Sequence, residues 1–130
     1  MKTTLKPAGQ PSKISNFINA ELDHSDTPSE LADINKHLLK LFNCNVEQDA
    51  DGTLSQAIDE DIEKFILKRA NLVESLLNTL QEQQKLSFAR KEIDINKVLL
   101  GAVELKRKHV RENLANISKA SKAIKEYHQV

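Results

Sequence analysis

The sequence contains a single cysteine, Cys44, among its 130 residues, which excludes an internal disulfide framework and a paired-cysteine metal or redox site. It has no Trp, its aromatic content is 4%, and it holds only three Gly and three Pro. A β-sandwich or barrel needs more turn residues and more β-forming side chains than these. The composition therefore favours an all-α fold in one small domain.

The charge balance and the hydrophobic runs exclude further classes of protein. Nineteen Lys and Arg residues balance nineteen Asp and Glu residues, so no overall field drives the chain toward nucleic acid or an anionic membrane. No segment approaches the roughly 18 apolar residues of a membrane span, and Met1 to Ser12 lacks the apolar core of a signal peptide. We expect a cytoplasmic protein with no nucleic-acid or membrane partner.

The first part of the chain is polar. Residues 1–27 hold two of the three prolines and many Ser, Thr and Asn, too little apolar surface to offset the entropy of ordering. We predict a mostly flexible polar arm over 1–27 and a helical domain over 28–130. Within the arm, Ile14, Phe17, Ile18 and Leu22 share one face of a possible short amphipathic helix, which could pack on the body or on a partner.

Three helices are predicted after the arm. The first starts at Thr27 to Glu30, where Thr27 would be the N-cap of a capping box and Pro28 the first helical residue. The second runs from Thr53 to about Gln84 and the third from Ser87 almost to the last residue, both with apolar residues three and four apart. The two long helices predict an antiparallel hairpin on which the shorter first helix packs, along a stripe of Leu31, Ile34, Leu38, Leu41 and Phe42.

Charge separates along the predicted hairpin. Residues 45–85 carry nine acidic and four basic side chains, a net charge of −5, whereas residues 86–130 carry ten basic and five acidic ones, a net charge of +5. Opposite charges favour pairing of the two helices, although each exposed ion pair is worth only about 0.2–1 kcal/mol. The densest basic run, Lys106 to Arg111, is interpreted as a solvated face or as a rim for an acidic partner.

The loop before the second helix resembles part of an EF-hand. Counting Glu47 as position 1 places Asp49 and Asp51 at positions 3 and 5 and Gly52 at position 6. Position 12, which should be a bidentate Glu, is Ile58. We therefore interpret the loop as an acidic turn with a helix cap and predict no metal site.

Motifs of known enzyme chemistry are missing. The sequence has no phosphate-binding loop, no dinucleotide fingerprint and no nucleophile elbow. Its histidines, His24, His37, His109 and His128, lie far apart in the sequence without zinc-ligand spacing. We predict that the protein is not an enzyme, with no catalytic residues and no cofactor.

The apolar stripe of the third helix is the remaining candidate for function. It extends over about 30 residues, longer than the short first helix covers. Three interpretations stay open: the excess binds an amphipathic partner helix, pairs with a second copy of the chain, or covers the second helix.

The C-terminal half resembles a known family in its helical patterns. The resembling segments are residues 62–77, residues 95–100 and residues 114–127, which end in a Ser- and Lys-rich stretch followed by Ala123, Ile124 and Tyr127. From about Asp61 the chain is similar to the FliT-type flagellar type III export chaperones. The resemblance implies a cytoplasmic all-α protein that binds the amphipathic terminal helix of a filament-cap or other axial subunit before export. It also implies the export ATPase complex as a possible partner.

Together, the stripe and the resemblance predict a partner-binding groove between the second and third helices. The alternative is a structural coiled-coil protein whose helices homodimerise. The residues predicted to bind the partner are Phe65, Leu72, Leu76, Val110, Leu114, Ile117, Ile124 and Tyr127.

Overall fold

The structure is a computed structural model that describes residues 18–46, 49 and 51–128, with side chains described as far as residue 126. This part of the chain forms three α-helices and no β-strand. They are α1 (Ser29–Phe42), α2 (Thr53–Leu77) and α3 (Glu82–His128). The predicted all-α fold is confirmed.

The two long helices form the predicted antiparallel hairpin, and α1 packs mainly against α2. Ion pairs also join α2 to α3: Arg107 Nε donates to Asp59 Oδ1 at 2.8 Å, and Arg107 Nη2 lies 3.5 Å from Glu63 Oε2. The opposite charges of the two helices thus meet as the sequence predicts. All three helices contribute buried apolar side chains to one core. They are Ile34, Leu38 and Phe42 of α1, Ile58 and Ile62 of α2, and Ile95, Leu99, Ala102 and Val103 of α3.

The start of α1 differs from the capping box that the sequence predicts. The helix begins at Ser29, its N-cap is Pro28, and no side chain caps it. The Thr27 hydroxyl accepts a hydrogen bond from the His24 amide at 2.7 Å, so it closes the turn before the helix instead of capping the helix.

The connection between α2 and α3 lies earlier than predicted. Helix α2 ends at Leu77 and α3 begins at Glu82, not near Gln84 and Ser87. The turn is held by Thr79, whose amide and hydroxyl both donate to the Leu76 carbonyl, at 3.0 and 2.8 Å.

Residues 18–28 are ordered without being helical. Ile18 and Leu22 are buried in the core, so the part of the predicted arm that the structure describes packs on the body. Ile14 and Phe17 of the predicted short helix lie outside the described residues. The segment is tied to α3 by Lys91, whose ammonium donates to Asp26 Oδ2 at 2.8 Å and lowers the pKa of Asp26.

Helix α3 is longer than the body that covers it. Its 47 residues extend on the order of 70 Å, against about 37 Å for the 25 residues of α2. Because the hairpin is antiparallel, the first turn of α2 lies beside Asn113, whose Nδ2 donates to Ser55 Oγ at 3.1 Å. Every side chain from Ser118 to Glu126 is exposed. We call residues 118–126 the tail. Among the described helices, none combines the length and apolar content that crossing a membrane requires.

Candidate functional site

A buried polar network joins all three helices and the segment before α1. Its members are Arg69 of α2, Glu92 of α3, Asn35 of α1 and His24. Arg69 is 2% exposed and donates to Glu92 Oε1 at 2.9 Å and to Asn35 Oδ1 at 2.7 Å. Charged groups are rarely buried to this extent unless they are paired and hydrogen-bonded. The network is therefore a candidate functional site in the core.

Further hydrogen bonds pair the other polar groups of Asn35, His24 and Glu92. Asn35 Nδ2 donates to the Leu22 carbonyl at 3.0 Å, and His24 Nε2 lies 2.7 Å from Glu92 Oε2. The amide of Asp26 donates to His24 Nδ1 at 3.1 Å. Since Nδ1 accepts, Nε2 carries the hydrogen that is donated to Glu92.

This network has a structural role. Glu92 is 4% exposed, and neither Arg69 nor Glu92 lines the two grooves described below, so the pair is shielded from solvent. A translation of α3 along α2 by one turn, about 5.4 Å, would break every hydrogen bond of Glu92. The network therefore fixes one register for the hairpin and holds the segment before α1 in place.

A second buried charge lies nearer the end of the bundle. Lys106 is 3% exposed, and its ammonium donates to the Cys44 carbonyl at 2.5 Å. Burial lowers the pKa of Lys106 from its usual 10.5, because an apolar environment disfavours the charged form. This contact attaches the loop after α1 to α3.

The acidic turn before α2 caps the helix. Asp49 Oδ2 accepts from the Ser55 amide at 2.7 Å, and Asp51 Oδ1 accepts from the Thr53 amide at 3.0 Å. Desolvation opposes ionisation of Asp49, but hydrogen bonds from the amides of Ser55, Leu54 and Gly52 outweigh it and lower the pKa of this carboxyl. The helix N-cap is Gly52, with φ of 82°, and Thr53 is the first helical residue.

Both acids therefore have a structural role that requires no cation. Within the described ranges, no three side chains of His, Cys, Asp or Glu are grouped so that they could hold a metal ion.

The predicted partner-binding residues do not form one groove. Phe65 and Leu72 pack against the core, and Leu76 is half-buried near the end of α2. The ring of Phe65 stacks on His37 with centroids 4.1 Å apart, so α1 already covers it. The pairing of Arg69 with Glu92 places these α2 residues on the order of 30 Å along α3 from Leu114.

The other predicted residues lie together at the far end of α3. Val110 is buried and Leu114 is half-buried. They line an open side groove of about 460 Å³ whose other walls are polar and charged: Gln56, Asp59, Glu60, Arg107 and Arg111. Val110 and Leu114 are the only aliphatic residues among those that line this groove.

Ile117 and Ile124 line a larger and more open groove at the end of the bundle, of about 800 Å³. We call it the end groove. One wall is the acidic turn and the other is the face of α3 that leaves the body; its lining residues are Asp49, Asp51, Asn113, Asn116, Ile117, Ala120, Ser121 and Ile124. Ile117 packs near Gly52 and is half-buried, whereas Ile124 is 58% exposed. Tyr127 lies on α3, but its side chain is outside the described part.

The polar residues of the core were missed by reasoning from the sequence, although a signal exists. Asn35 lies between Leu31 and Leu38, and Arg69 lies seven residues after Ile62, both at the three-four spacing of the apolar stripes. Glu92 and Lys106 interrupt the stripe of α3 in the same way. A polar residue on an apolar face is the pattern that indicates a buried pair or network.

Comparison with known proteins gives no relative from which a role could be taken. No family model matches the chain, and neither the curated proteins nor the solved structures contain a match to it.

Proposed function

We propose that the protein is a helix-binding export chaperone that holds the amphipathic terminal helix of a flagellar filament-cap or other axial subunit against the end of α3. One observation carries the proposal: the face of α3 that forms the core continues beyond the start of α2 and is exposed there. Ile124 is the exposed continuation of this face. Where an exposed apolar side chain lies beside a groove, the surface is a candidate for binding a partner.

The dimensions of the face suit a helix. Ile117 and Ile124 are seven residues apart, two turns or about 10 Å along the same side of α3. Between them lie Ala120 and Ser121, whose small side chains permit a second helix to approach closely. A partner helix with apolar residues at i, i+3 or i+4 and i+7 would place its anchors over this stretch.

The resemblance of the C-terminal half to FliT-type chaperones supports the choice of client. Its most similar stretch, residues 114–127, includes the tail and most of the α3 wall of the end groove. On this proposal the protein acts in the cytoplasm, is not an enzyme and needs no cofactor. The export ATPase complex is a further partner that the same resemblance implies.

The test uses a labelled peptide of the terminal helix of a filament-cap protein, with a scrambled peptide as the reference. Fluorescence anisotropy measures the dissociation constant at low protein concentration. Ile124→Asp should weaken binding by about 2–4 kcal/mol, on the order of 30- to 1,000-fold, because the carboxylate must be desolvated at a contact centre. Lys119 is not among the residues that line the end groove, so Lys119→Asp should leave peptide binding unchanged.

A matched control separates loss of the face from general damage to α3. Ile93 is 56% exposed on the same helix, outside the end groove, so Ile93→Asp introduces the same charge at the same exposure. It should leave peptide binding unchanged. Equal losses for Ile93→Asp and Ile124→Asp, or no loss for Ile124→Asp, would reject the proposed binding face.

One observation favours a second candidate, a structural coiled coil. Leu86, Ile93 and Leu100 are exposed on α3 at seven-residue intervals, the spacing of one seam position in a heptad repeat. The second apolar position of each heptad, three residues later, would be Ala89, Asn96 and Val103. Of these, Val103 is already buried in the core. Under this candidate Ile93→Asp would abolish self-association, and peptide binding would be absent from every variant.

A further inference from the structure

The end groove has an acidic wall and an apolar wall. Asp49 and Asp51 lie on the first, Ile117 and Ile124 lie on the second, and the described residues that line the groove include neither Lys nor Arg. In the described part of the chain, neither acid forms an ion pair. Hydrogen bonds from the helix amides stabilise these carboxylates but do not remove their charge. An occupant of the groove should therefore combine an apolar side chain with positive charge.

The chain before Ile18 leads toward this end of the bundle. Asp26 contacts Lys91, near the start of α3. Ile18 forms two hydrogen bonds with the side chain of Asn43, and the carbonyl of the residue after Asn43 accepts from Lys106. Going back along the chain from Asp26 to Ile18 therefore means moving along α3 from Lys91 to Lys106, toward the end groove.

The length of chain before Ile18 limits which residues can reach the groove. The groove begins at Ile117, about 17 Å beyond Lys106 along α3. Ile14 precedes Ile18 by four residues, which span at most about 14 Å and do not cover that distance. Leu5 precedes Ile18 by thirteen residues, and a linker of that length has a root-mean-square end-to-end distance of about 20 Å. Leu5 is therefore tethered at a distance that suits the groove.

Residues 2–6 also have the chemistry that the groove requires. They read Lys-Thr-Thr-Leu-Lys, so one aliphatic side chain lies among two lysines. Residues 1–17 as a whole contain three Lys and no acidic residue. Residues 7–12, Pro-Ala-Gly-Gln-Pro-Ser, have the composition of a linker.

We propose that residues 2–6 of the same chain occupy the end groove, with Leu5 on the apolar wall and the two lysines beside the acidic turn. One leucine and two exposed ion pairs would bind weakly between separate molecules. A tether whose length matches the span supplies an effective concentration in the millimolar range, so a contact with a dissociation constant of about 1 mM is occupied in about half of the molecules. A second copy of the chain has no such tether. A client would have to displace the segment, but the contact does not rest on the chaperone role.

Disulfide exchange within the full chain tests the proposal. In a Cys44→Ser background, Thr4→Cys is combined either with Ala120→Cys, in the groove, or with Ser118→Cys, and each variant is equilibrated with reduced and oxidised glutathione. Ala120 and Ser118 are both small and exposed, and two residues turn a helix by about 200°. The two positions therefore differ in the face they occupy and hardly in their distance from the tether. The effective concentration of the two thiols should be at least about tenfold higher for the Ala120→Cys pair, because docking adds to what the tether alone supplies.

Charge reversal in the same assay tests the pairing with the acidic turn. Lys2→Glu together with Lys6→Glu should reduce the ratio between the two pairs to less than about threefold, because like charges would then face each other. Equal effective concentrations at positions 118 and 120, or a ratio that the charge reversals leave unchanged, would overturn the proposal. A main product of two disulfide-linked 14.7 kDa chains would also overturn it, because a second copy would then fill the groove. The assay contains no client peptide, so its failure leaves the client-binding proposal to its own measurement.

Discussion

Replacing Arg69 by Met should destabilise the protein more than any surface substitution, by about 3–5 kcal/mol. Arg69 is the cation that pairs with the buried Glu92 carboxylate in the part of the chain that the structure describes, and the His24 ring is the other side chain that contacts it. Removing one partner of a buried ion pair leaves the other charge uncompensated, which costs about that amount. The side-chain oxygen of Asn35, Oδ1, also loses the 2.7 Å hydrogen bond that Arg69 Nε donates.

The double variant Arg69→Met with Glu92→Met tests whether the loss is electrostatic. With both charges removed, no carboxylate remains to be desolvated, so the double variant should be no less stable than Arg69→Met alone. The coupling free energy between the two sites should then reach about 2 kcal/mol or more, within the range that contacting residues show. Polar atoms of His24 and Asn35 that lose partners set the remaining cost, about 1–3 kcal/mol each when they stay buried.

Urea unfolding followed by far-UV circular dichroism measures these free energies. The expected loss is a large part of the roughly 5–15 kcal/mol that stabilises a domain of this kind. Arg90→Met is the matched control, because Arg90 is exposed on α3 two residues before Glu92; it should change stability by less than about 0.5 kcal/mol. A loss below about 1 kcal/mol for Arg69→Met, or fully additive single and double variants, would refute this account.

Three further predictions concern the end of the bundle. The pKa of Lys106 is lowered by burial, so as the pH approaches 10.5 the unfolded chain binds more protons at this residue than the folded chain does. The free energy of unfolding should therefore rise in that pH range. Chemical denaturation of Lys106→Met should show no such rise. The pKa of Asp49 is also lowered, so its stabilising charge is present above about pH 3.8 and lost below it, and acid unfolding should be flatter in Asp49→Asn. Gly52→Ala should lower the free energy of unfolding by about 1–2 kcal/mol, because φ is 82° and the added Cβ would lie 2.7 Å from Leu114 Cδ2. Adding Leu114→Ala should remove the clash with Leu114 but not the backbone strain. Thermal melts of the double variant would show this. If Gly52→Ala melts with the wild type, neither the left-handed backbone nor the contact with Leu114 penalises a side chain at position 52.

The fold class, the three helices and their antiparallel pairing could be predicted from the sequence because each depends on local periodicity. The stripes of α1 and α2 place Leu31, Leu38 and Ile62 in the core, where the structure has them fully buried. The end of α2 could not be predicted in the same way. Leu80 continues the apolar spacing after Leu77 and no Gly or Pro interrupts it, whereas the observed stop depends on hydrogen bonds to the Leu76 carbonyl.

The candidate site was only partly predictable, because contacts across the hairpin depend on register. Reasoning from the sequence grouped Phe65 and Leu72 with Ile117 and Ile124 on one binding groove, since all lie on apolar stripes. The structure separates them, because α1 packs over Phe65 and the long α3 carries Ile124 beyond the start of α2. Which part of a stripe is core and which is surface depends on the relative lengths and register of the packed helices, not on the stripe itself.

The continuity of α3 through covered and uncovered regions has a consequence for amide hydrogen exchange. Amides of residues 88–110, on the packed stretch, should exchange only when the whole domain unfolds, whereas those of the tail should exchange through fraying from the C-terminal end with opening free energies near zero. The two regimes lie on one uninterrupted helix, so protection should fall turn by turn past Ile117. A helix bound to the end groove would extend protection into residues 118–126 without changing that of residues 88–110. The exchange profile of α3 would then report how many turns of the tail an occupant covers.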